Sequence, residues 1–172
     1  MPSRPIKGAG FSQDILAFLR VLSQYRVRYL VVGGEAVIFH GYPRVTGDVD
    51  FFYENTSANV QRLFTALLDF WAGHIPGLKS ADELREPGLI IQFGRPPHRI
   101  DLMNEIDGVS FREAWNSRVS VRIATACDPV AARYIDLGPL LKNKRAAGRP
   151  KDLEDARVLG EKLPRKRRRK RR

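Results

Sequence analysis

Cysteine and long apolar runs are the two features that this sequence has least of. Its 172 residues include one cysteine, Cys127, so no disulfide can form within the chain, and this scarcity fits a reducing compartment. No apolar run approaches the roughly 20 residues of a membrane-spanning helix, and residues 1–10 lack the apolar core of a secretory signal. We therefore expect a cytoplasmic protein that neither crosses a membrane nor depends on disulfides.

Acidic residues are too few to balance the basic ones, and most of the excess lies at one end of the chain. The net charge is +11, of which the run from Arg165 to Arg172, all lysine or arginine, supplies eight, so the rest of the chain carries only +3. Eight like charges repel one another, and we expect residues 163–172 to form a disordered basic tail. The tail has two interpretations: it binds RNA or DNA phosphates in a salt-sensitive way, or it is only a solubilising end.

The periodicity of apolar residues predicts one α+β domain over residues 11–162, preceded by a flexible N-terminus at 1–10. Strands are predicted at 27–32, 48–53, 89–93, 99–103 and 119–124, and helices at 12–24, 35–40, 59–71, 110–117, 139–147 and 150–161. Residues 73–88 are rich in glycine and proline and are predicted to be a loop. A strand–helix–strand unit, a hairpin and then helices together favour a mixed β-sheet flanked by helices, with two helices at the C-terminus.

The most informative motif runs from a glycine pair to an aspartate pair. Gly33 and Gly34 follow an apolar run, and Asp48 and Asp50 open the strand predicted at 48–53. Residues two apart on a strand point to the same face, so both carboxylates can face one cation, and carboxylate oxygens are ligands that Mg²⁺ prefers. Phosphates are often cradled where glycines open a helix. The motif therefore predicts a site for a metal-bound nucleotide.

Each aspartate also has a simpler interpretation. Asp48 and Asp50 can be a turn cap and a neighbouring surface charge. Asp101 lies inside the strand predicted at 99–103, where it can be an edge residue paired with Arg99 or Arg95. If that strand lies beside the strand of Asp48, three carboxylates converge, which is the arrangement that two-metal phosphoryl transfer needs.

The residues of this motif resemble those of the nucleotidyltransferase superfamily related to DNA polymerase β. The pattern is closest to small bacterial members, which include abortive-infection toxins and antibiotic nucleotidyltransferases. The segment 142–152 is similar to a lysine followed by Arg-Pro-Lys-Asp seen in that group, and the resemblance covers about residues 25–160. The residues that carry it are Gly33, Gly34, Ala36, Gly41, Arg44, Thr46, Asp48, Asp50, Asp101, Lys144, Arg149, Pro150, Lys151 and Asp152.

The resemblance implies roles for the glycines and the aspartates. Gly33 and Gly34 would hold the triphosphate through their backbone N–H groups, although a tight strand-to-helix turn explains the pair equally well. Asp48 and Asp50 would bind the metal that carries the nucleotide. Asp101 would complete a second metal site and help to deprotonate the acceptor hydroxyl.

The resemblance also implies roles for four residues outside the aspartate cluster. Arg44 and Thr46 would line the nucleotide pocket, and Lys144 and Lys151 would neutralise phosphate charge. A solvated helix face, with Asp152 as the anion at the helix start, is the simpler interpretation of the two lysines.

The activity that the resemblance implies is transfer of a nucleoside monophosphate from an NTP to an acceptor hydroxyl, with two Mg²⁺ ions and release of pyrophosphate. The acceptor could be a tRNA end, a protein hydroxyl or a small molecule, and an RNA acceptor would bind through the tail Arg165 to Arg172. The alternative is a catalytically degenerate nucleotide- or nucleic-acid-binding module, with a partner protein in a toxin–antitoxin pair. The tail and Glu35, whose charge would oppose a triphosphate beside the glycines, favour this alternative.

Overall fold

A mixed β-sheet of six strands forms the centre of the protein, and a computed structural model describes residues 11–161 of the chain. The strands are β1 Tyr29–Val32, β2 Asp48–Tyr53, β3 Ile90–Phe93, β4 Arg99–Met103, β5 Val119–Ile123 and β6 Val130–Tyr134. The helices are α1 Gln13–Gln24, α2 Gly33–Phe39, α3 Ser57–Phe70, α4 Phe111–Ser117, α5 Leu137–Ala147 and α6 Pro150–Glu161. This architecture confirms the predicted α+β class. The N-terminus and the basic tail predicted at 1–10 and 163–172 lie outside the described residues.

The order of strands in the sheet brings two acidic strands together. The order is β3-β4-β2-β1-β6-β5, in which β2 pairs antiparallel with β1 and parallel with β4. All four residues of β1 are buried, as expected for a central strand. Val32 at the end of β1 is the register partner of Asp50, so the glycine pair that follows β1 lies next to the start of β2.

Helix starts follow the capping chemistry that the sequence contains. The side chains of Ser12, Thr56 and Ser110 accept hydrogen bonds from the backbone N–H groups three residues further on, at the starts of α1, α3 and α4. These caps fix where α1 and α4 begin against the sheet.

The hydrophobic core sets the direction of the side chains along β2. Phe18 of α1 packs edge-on against Phe51 of β2 and Phe70 of α3, with ring centroids 5.2 and 5.1 Å apart. Because successive strand residues point to opposite faces, burial of Phe51 against α1 directs Asp50 to the other face of the sheet. A shift of one residue would bury Asp50 in the aromatic core.

Two elements were not predicted from the sequence. Strand β6 lies between β1 and β5 and runs parallel to β1, with Val31 opposite Tyr134. Its two alanines have low β-propensity, so its pairing on both sides, rather than its local sequence, makes it a strand. A 3₁₀ helix, Ala81–Arg85, forms within the region predicted to be a loop. Within residues 11–161 no helix has both the length and the apolar character needed to cross a membrane.

Candidate active site

Three carboxylates converge where β2 and β4 run side by side. Asp50 and Asp101 are register partners in this parallel pair, and Asp48 lies two residues before Asp50 on the same face. Each of the three offers an oxygen, and these oxygens lie within 4.8 Å of one another. Because β4 has a neighbour on either side and Asp101 is only 5% exposed, the interpretation of Asp101 as an edge residue is wrong.

The cluster raises the pKa of its central member. The pKa of Asp50 is raised to about 6, first because the carboxylate is buried and then because of the negative charges of Asp48 and Asp101. Lys144 and the backbone N–H of Gly34 act in the opposite direction but do not cancel the effect. A cation among these oxygens would relieve the repulsion, and carboxylates are the ligands that Mg²⁺ prefers. The residues present therefore fit a divalent metal site.

Arg99 makes the closest ionic contacts with the cluster. Its Nε lies 2.7 Å from Asp101 Oδ1, and its Nη2 lies 2.9 Å from Asp101 Oδ2 and 2.6 Å from Asp48 Oδ2. Gln92 Nε2 also donates to Asp101 Oδ2, at 3.0 Å. The predicted pairing of Asp101 with Arg99 is thus confirmed, although it occurs in the interior of the sheet. No ion pair to Asp50 occurs within residues 11–161.

The glycine pair packs its backbone directly against the cluster. Gly33 has a φ of +58°, and a Cβ there would overlap the Asp50 carboxylate. A Cβ at Gly34 would lie 2.5 Å from Thr46 Oγ1, and this hydroxyl donates to Asp48 Oδ1 at 3.0 Å. The tight turn predicted for the pair is confirmed. Because neither glycine has a side chain, the backbone of the turn can lie directly beside the carboxylates.

Lys144 lies in a buried ion network that involves the two C-terminal helices. It is 4% exposed, and its Nζ lies 2.7 Å from Asp152 Oδ1 and 3.0 Å from Asp155 Oδ2. Asp155 also pairs with Arg44, whose Nε lies 3.1 Å from Oδ1. The interpretation of Lys144 as part of a solvated face is therefore wrong, whereas Lys151 is exposed. The network fixes the loop that carries Arg44 to α5 and α6.

Glu35 lies near the cluster. Its pKa is raised, first by burial, while Arg44 lowers it and Asp48 and Asp50 raise it further. The half-buried Glu35 side chain thus adds to the negative charge that a cation at the aspartates would face. Arg44 offsets part of this charge.

One pocket of about 760 Å³ is lined by the three aspartates together with the glycine pair, Arg99 and Lys144. Its volume is in the range of small-molecule and cofactor sites. Every residue that the sequence predicted for the site lines it: Gly33, Gly34, Arg44, Thr46, Asp48, Asp50, Asp101, Lys144 and Lys151. The structure thus brings these nine residues together, and their roles in binding and catalysis stay predictions.

Asp155 and Gln92, which contact predicted site residues, were not identified from the sequence. Asp155 shares one face of α6 with Asp152, Ala156 and Leu159, all of them buried; acidic residues at helical spacing among apolar ones were the available signal. Gln92 is the register partner of Asp101 across the β3–β4 hairpin. That register depends on the conformation of residues 94–98, which the sequence does not specify.

A protein family and a solved structure are similar to this chain. A family model described as "Nucleotidyl transferase of unknown function (DUF2204)" matches residues 11–169. Among solved structures, an antigenic nucleotidyltransferase-like protein from Paracoccidioides brasiliensis is similar, with a TM-score of 0.48 and 17% sequence identity over 87% of this chain and 77% of that one. No curated protein matches this sequence. The family match includes the complete pocket.

Proposed function

This chain is a member of that nucleotidyl transferase family, and we propose that it catalyses metal-dependent transfer of a nucleoside monophosphate from an NTP to an acceptor hydroxyl, with release of pyrophosphate. The observation that carries the proposal is the convergence of Asp48, Asp50 and Asp101 within 4.8 Å, in a pocket that the Gly33–Gly34 turn also lines. Neither a turn cap nor a surface charge requires three carboxylates to meet on adjacent strands.

The aspartates would bind the metal and act on the acceptor. Asp48, Asp50 and Asp101 would hold two Mg²⁺ ions, which would neutralise phosphate charge and stabilise the attacking and leaving oxygens. The acceptor oxygen would form a bond to the α-phosphorus as the bond to pyrophosphate breaks, and Asp101 would help to take up the hydroxyl proton. Asp50 would be ionised when a cation offsets its neighbours. The rate enhancement would come mostly from positioning and electrostatics.

The remaining pocket residues would bind the nucleotide. Backbone N–H groups of Gly33 and Gly34 would hold the triphosphate, and Arg44 and Thr46 would line its pocket. Lys144 would contribute little uncompensated charge, because Asp152 and Asp155 both lie within 3.0 Å of its Nζ. Lys151, which is exposed and lines the pocket, would be the lysine that contacts the phosphates. The acceptor would be a tRNA end, a protein hydroxyl or a small molecule, and an RNA would be retained by the tail Arg165 to Arg172.

A second candidate function is a catalytically degenerate binding module, with a partner protein in a toxin–antitoxin pair. One observation favours it: Arg99 pairs with Asp48 and Asp101, which are two of the three carboxylates that would hold a metal ion. If this arrangement is permanent, the pocket could bind nucleotide or nucleic acid without turning it over.

NTP turnover with Mg²⁺ tests the proposal, by comparing the wild type with Asp50→Asn. We expect Asp50→Asn to lower turnover at least about 100-fold, which corresponds to about 2.7 kcal/mol of transition-state stabilisation. Asp69→Asn, at an exposed position of α3, is the matched control and should retain full turnover. Equal turnover in wild type and Asp50→Asn would remove Asp50 from the mechanism, and no turnover in the wild type would favour the binding module.

A further inference from the structure

One guanidinium pairs with two of the three carboxylates. Arg99 is the register partner of Asp48 and lies two residues before Asp101 on β4, so its side chain starts on the same face as both. It donates to both oxygens of Asp101 and to Oδ2 of Asp48, at 2.6 to 2.9 Å. Such charge-assisted, bidentate hydrogen bonds are among the strongest that side chains make. The cluster therefore has an internal counter-ion.

This counter-ion pairs with two of the carboxylates that a metal ion would bind. Two of the three carboxylates whose oxygens converge within 4.8 Å are the ones that Arg99 contacts, and an arginine side chain does not lose its charge by deprotonation in proteins. A divalent cation can bind Asp48 and Asp101 fully only if the guanidinium moves away. The Arg99 side chain is 26% exposed, so it is not locked within the core and solvent reaches it from the pocket.

The same pocket offers the displaced guanidinium another partner. Arg99 lines it together with the Gly33–Gly34 turn and Lys151, which are the groups assigned above to the triphosphate. A phosphate accepts two parallel N–H bonds from arginine much as a carboxylate does. A metal-bound nucleotide thus supplies both the cation that replaces Arg99 at the carboxylates and the phosphate that accepts hydrogen bonds from the displaced guanidinium.

We propose that Arg99 is an exchangeable counter-ion, which pairs with Asp48 and Asp101 in the metal-free protein and turns its guanidinium to the phosphates of the substrate when the metal binds. The inference rests on the function proposed above. It makes Arg99 a brake on binding of metal alone and a contributor to binding of metal with phosphate. Metal and nucleotide would then bind cooperatively, since each removes an obstacle to the other.

The first measurement is a titration of the full-length protein with Mn²⁺ alone, in which free Mn²⁺ is followed by electron paramagnetic resonance. We expect Arg99→Gln to bind Mn²⁺ about tenfold more tightly than the wild type, equivalent to about 1.4 kcal/mol. The matched control is Arg122→Gln, which removes the same charge from an exposed position on β5 at the opposite edge of the sheet and should leave the affinity unchanged.

The second measurement is calorimetric binding of tripolyphosphate at saturating Mg²⁺, where we expect Arg99→Gln to bind about tenfold more weakly, or about 1.4 kcal/mol. These opposite effects distinguish an exchangeable counter-ion from a structural residue, whose loss would weaken both ligands. Arg99→Lys, which keeps the charge but lacks the planar fork, should show changes of the same signs and smaller size, and it replaces Arg99→Gln if that variant does not fold.

The outcomes separate this inference from the proposed function. If Mn²⁺ binds the wild type and Arg99→Gln equally, or binds the variant more weakly, the counter-ion role is wrong while the metal site stands. Unchanged tripolyphosphate affinity would refute the transfer to phosphate. If neither protein binds Mn²⁺, both the inference and the metal-dependent function fail, and Arg99 is a permanent substitute for the metal.

Discussion

Asp50 of β2 and Asp101 of β4 stand directly opposite each other in a parallel strand pair, so the sheet itself holds two carboxylates side by side. Asp48 supplies a third oxygen within 4.8 Å of the other two. Rigid strands fix a constellation more closely than loops do. The pairing of β2 with β4 is therefore the structural basis of the proposed metal site. In the metal-free protein, the same arrangement lowers the stability of the folded state.

That cost predicts that Asp50→Asn is more stable than the wild type at neutral pH in EDTA. The pKa of Asp50 is raised from 3.8 to about 6, so the folded state binds this proton more tightly than the unfolded state. Stability from this group is complete below pH 3.8 and is lost as the pH rises through about 6. We expect Asp50→Asn to gain about 1–3 kcal/mol at pH 7.5, or several degrees in melting temperature.

Thermal unfolding in EDTA across pH 5 to 8 measures this effect. The advantage of Asp50→Asn should shrink by about half at pH 5, because much of the wild-type cost is then relieved by protonation. Asp69→Asn, at an exposed position, should show no such pH-dependent gap. A gap for Asp50→Asn that is absent or grows toward low pH would show that burial and the neighbouring carboxylates do not raise the pKa of Asp50.

Gly33→Ala should destabilise the protein and disrupt the pocket. The backbone at Gly33 has a φ of +58°, and a Cβ there would overlap the Asp50 carboxylate. Backbone strain and steric overlap therefore both contribute to the loss of stability. We expect a loss of about 2–4 kcal/mol in urea unfolding, since left-handed strain alone costs about 1–3 kcal/mol. Gly73→Ala isolates the strain, because its φ is +91° and nothing lies within 4 Å of the added Cβ. Equal costs would mean that Gly33 does not approach Asp50.

The buried ion network predicts very different roles for two adjacent acidic residues of α6. Asp155 is 1% exposed and pairs with Lys144 and Arg44. Its replacement by alanine leaves two cations short of a partner, and we expect a cost of about 3–5 kcal/mol in urea unfolding. The Glu154 side chain is 48% exposed and pairs with Arg157, so Glu154→Ala should cost less than about 1 kcal/mol. Similar costs would contradict the structural role of the network.

Deletion of Arg165 to Arg172 tests the tail. We expect the truncated protein to bind RNA more weakly and with a shallower dependence on salt concentration, because a protein that neutralises fewer phosphates releases fewer counter-ions from the RNA. Filter binding at several salt concentrations measures both quantities. Unchanged RNA affinity would leave the tail a solubilising end. Loss of RNA binding by a protein that never consumes an NTP would favour the binding module.

The sequence predicts the acidic strands well. Strands β2, Asp48–Tyr53, and β4, Arg99–Met103, have the predicted bounds. In each of them an aspartate stands among apolar residues, and this pattern is easy to recognise in the sequence. The sequence alone does not show that the two strands are neighbours, because the order of strands in a sheet depends on long-range packing. The pocket residues were selected from the resemblance to the nucleotidyltransferase superfamily. Only the folded structure shows that they lie together.

Other parts of the structure depend on contacts that the sequence does not reveal. β6 contains Ala131 and Ala132 and is a strand only because β1 and β5 pair with it. Lys144 looked solvated because its partner Asp155 lies on another helix. Arg99 looked like a simple partner of Asp101, and only the register of β2 with β4 places it against Asp48 as well.

Transfer of a labelled α-phosphate tests the central claim most directly. The full-length protein is incubated with Mg²⁺ and each NTP labelled at the α-phosphate, in the presence of total RNA and lysate protein. We predict that label enters an acceptor with the wild type, that label from the γ-phosphate does not, and that transfer is lost in EDTA and with Asp101→Asn. If no NTP transfers its α-phosphate to any acceptor, or if Asp101→Asn transfers it as well as the wild type does, the account is contradicted.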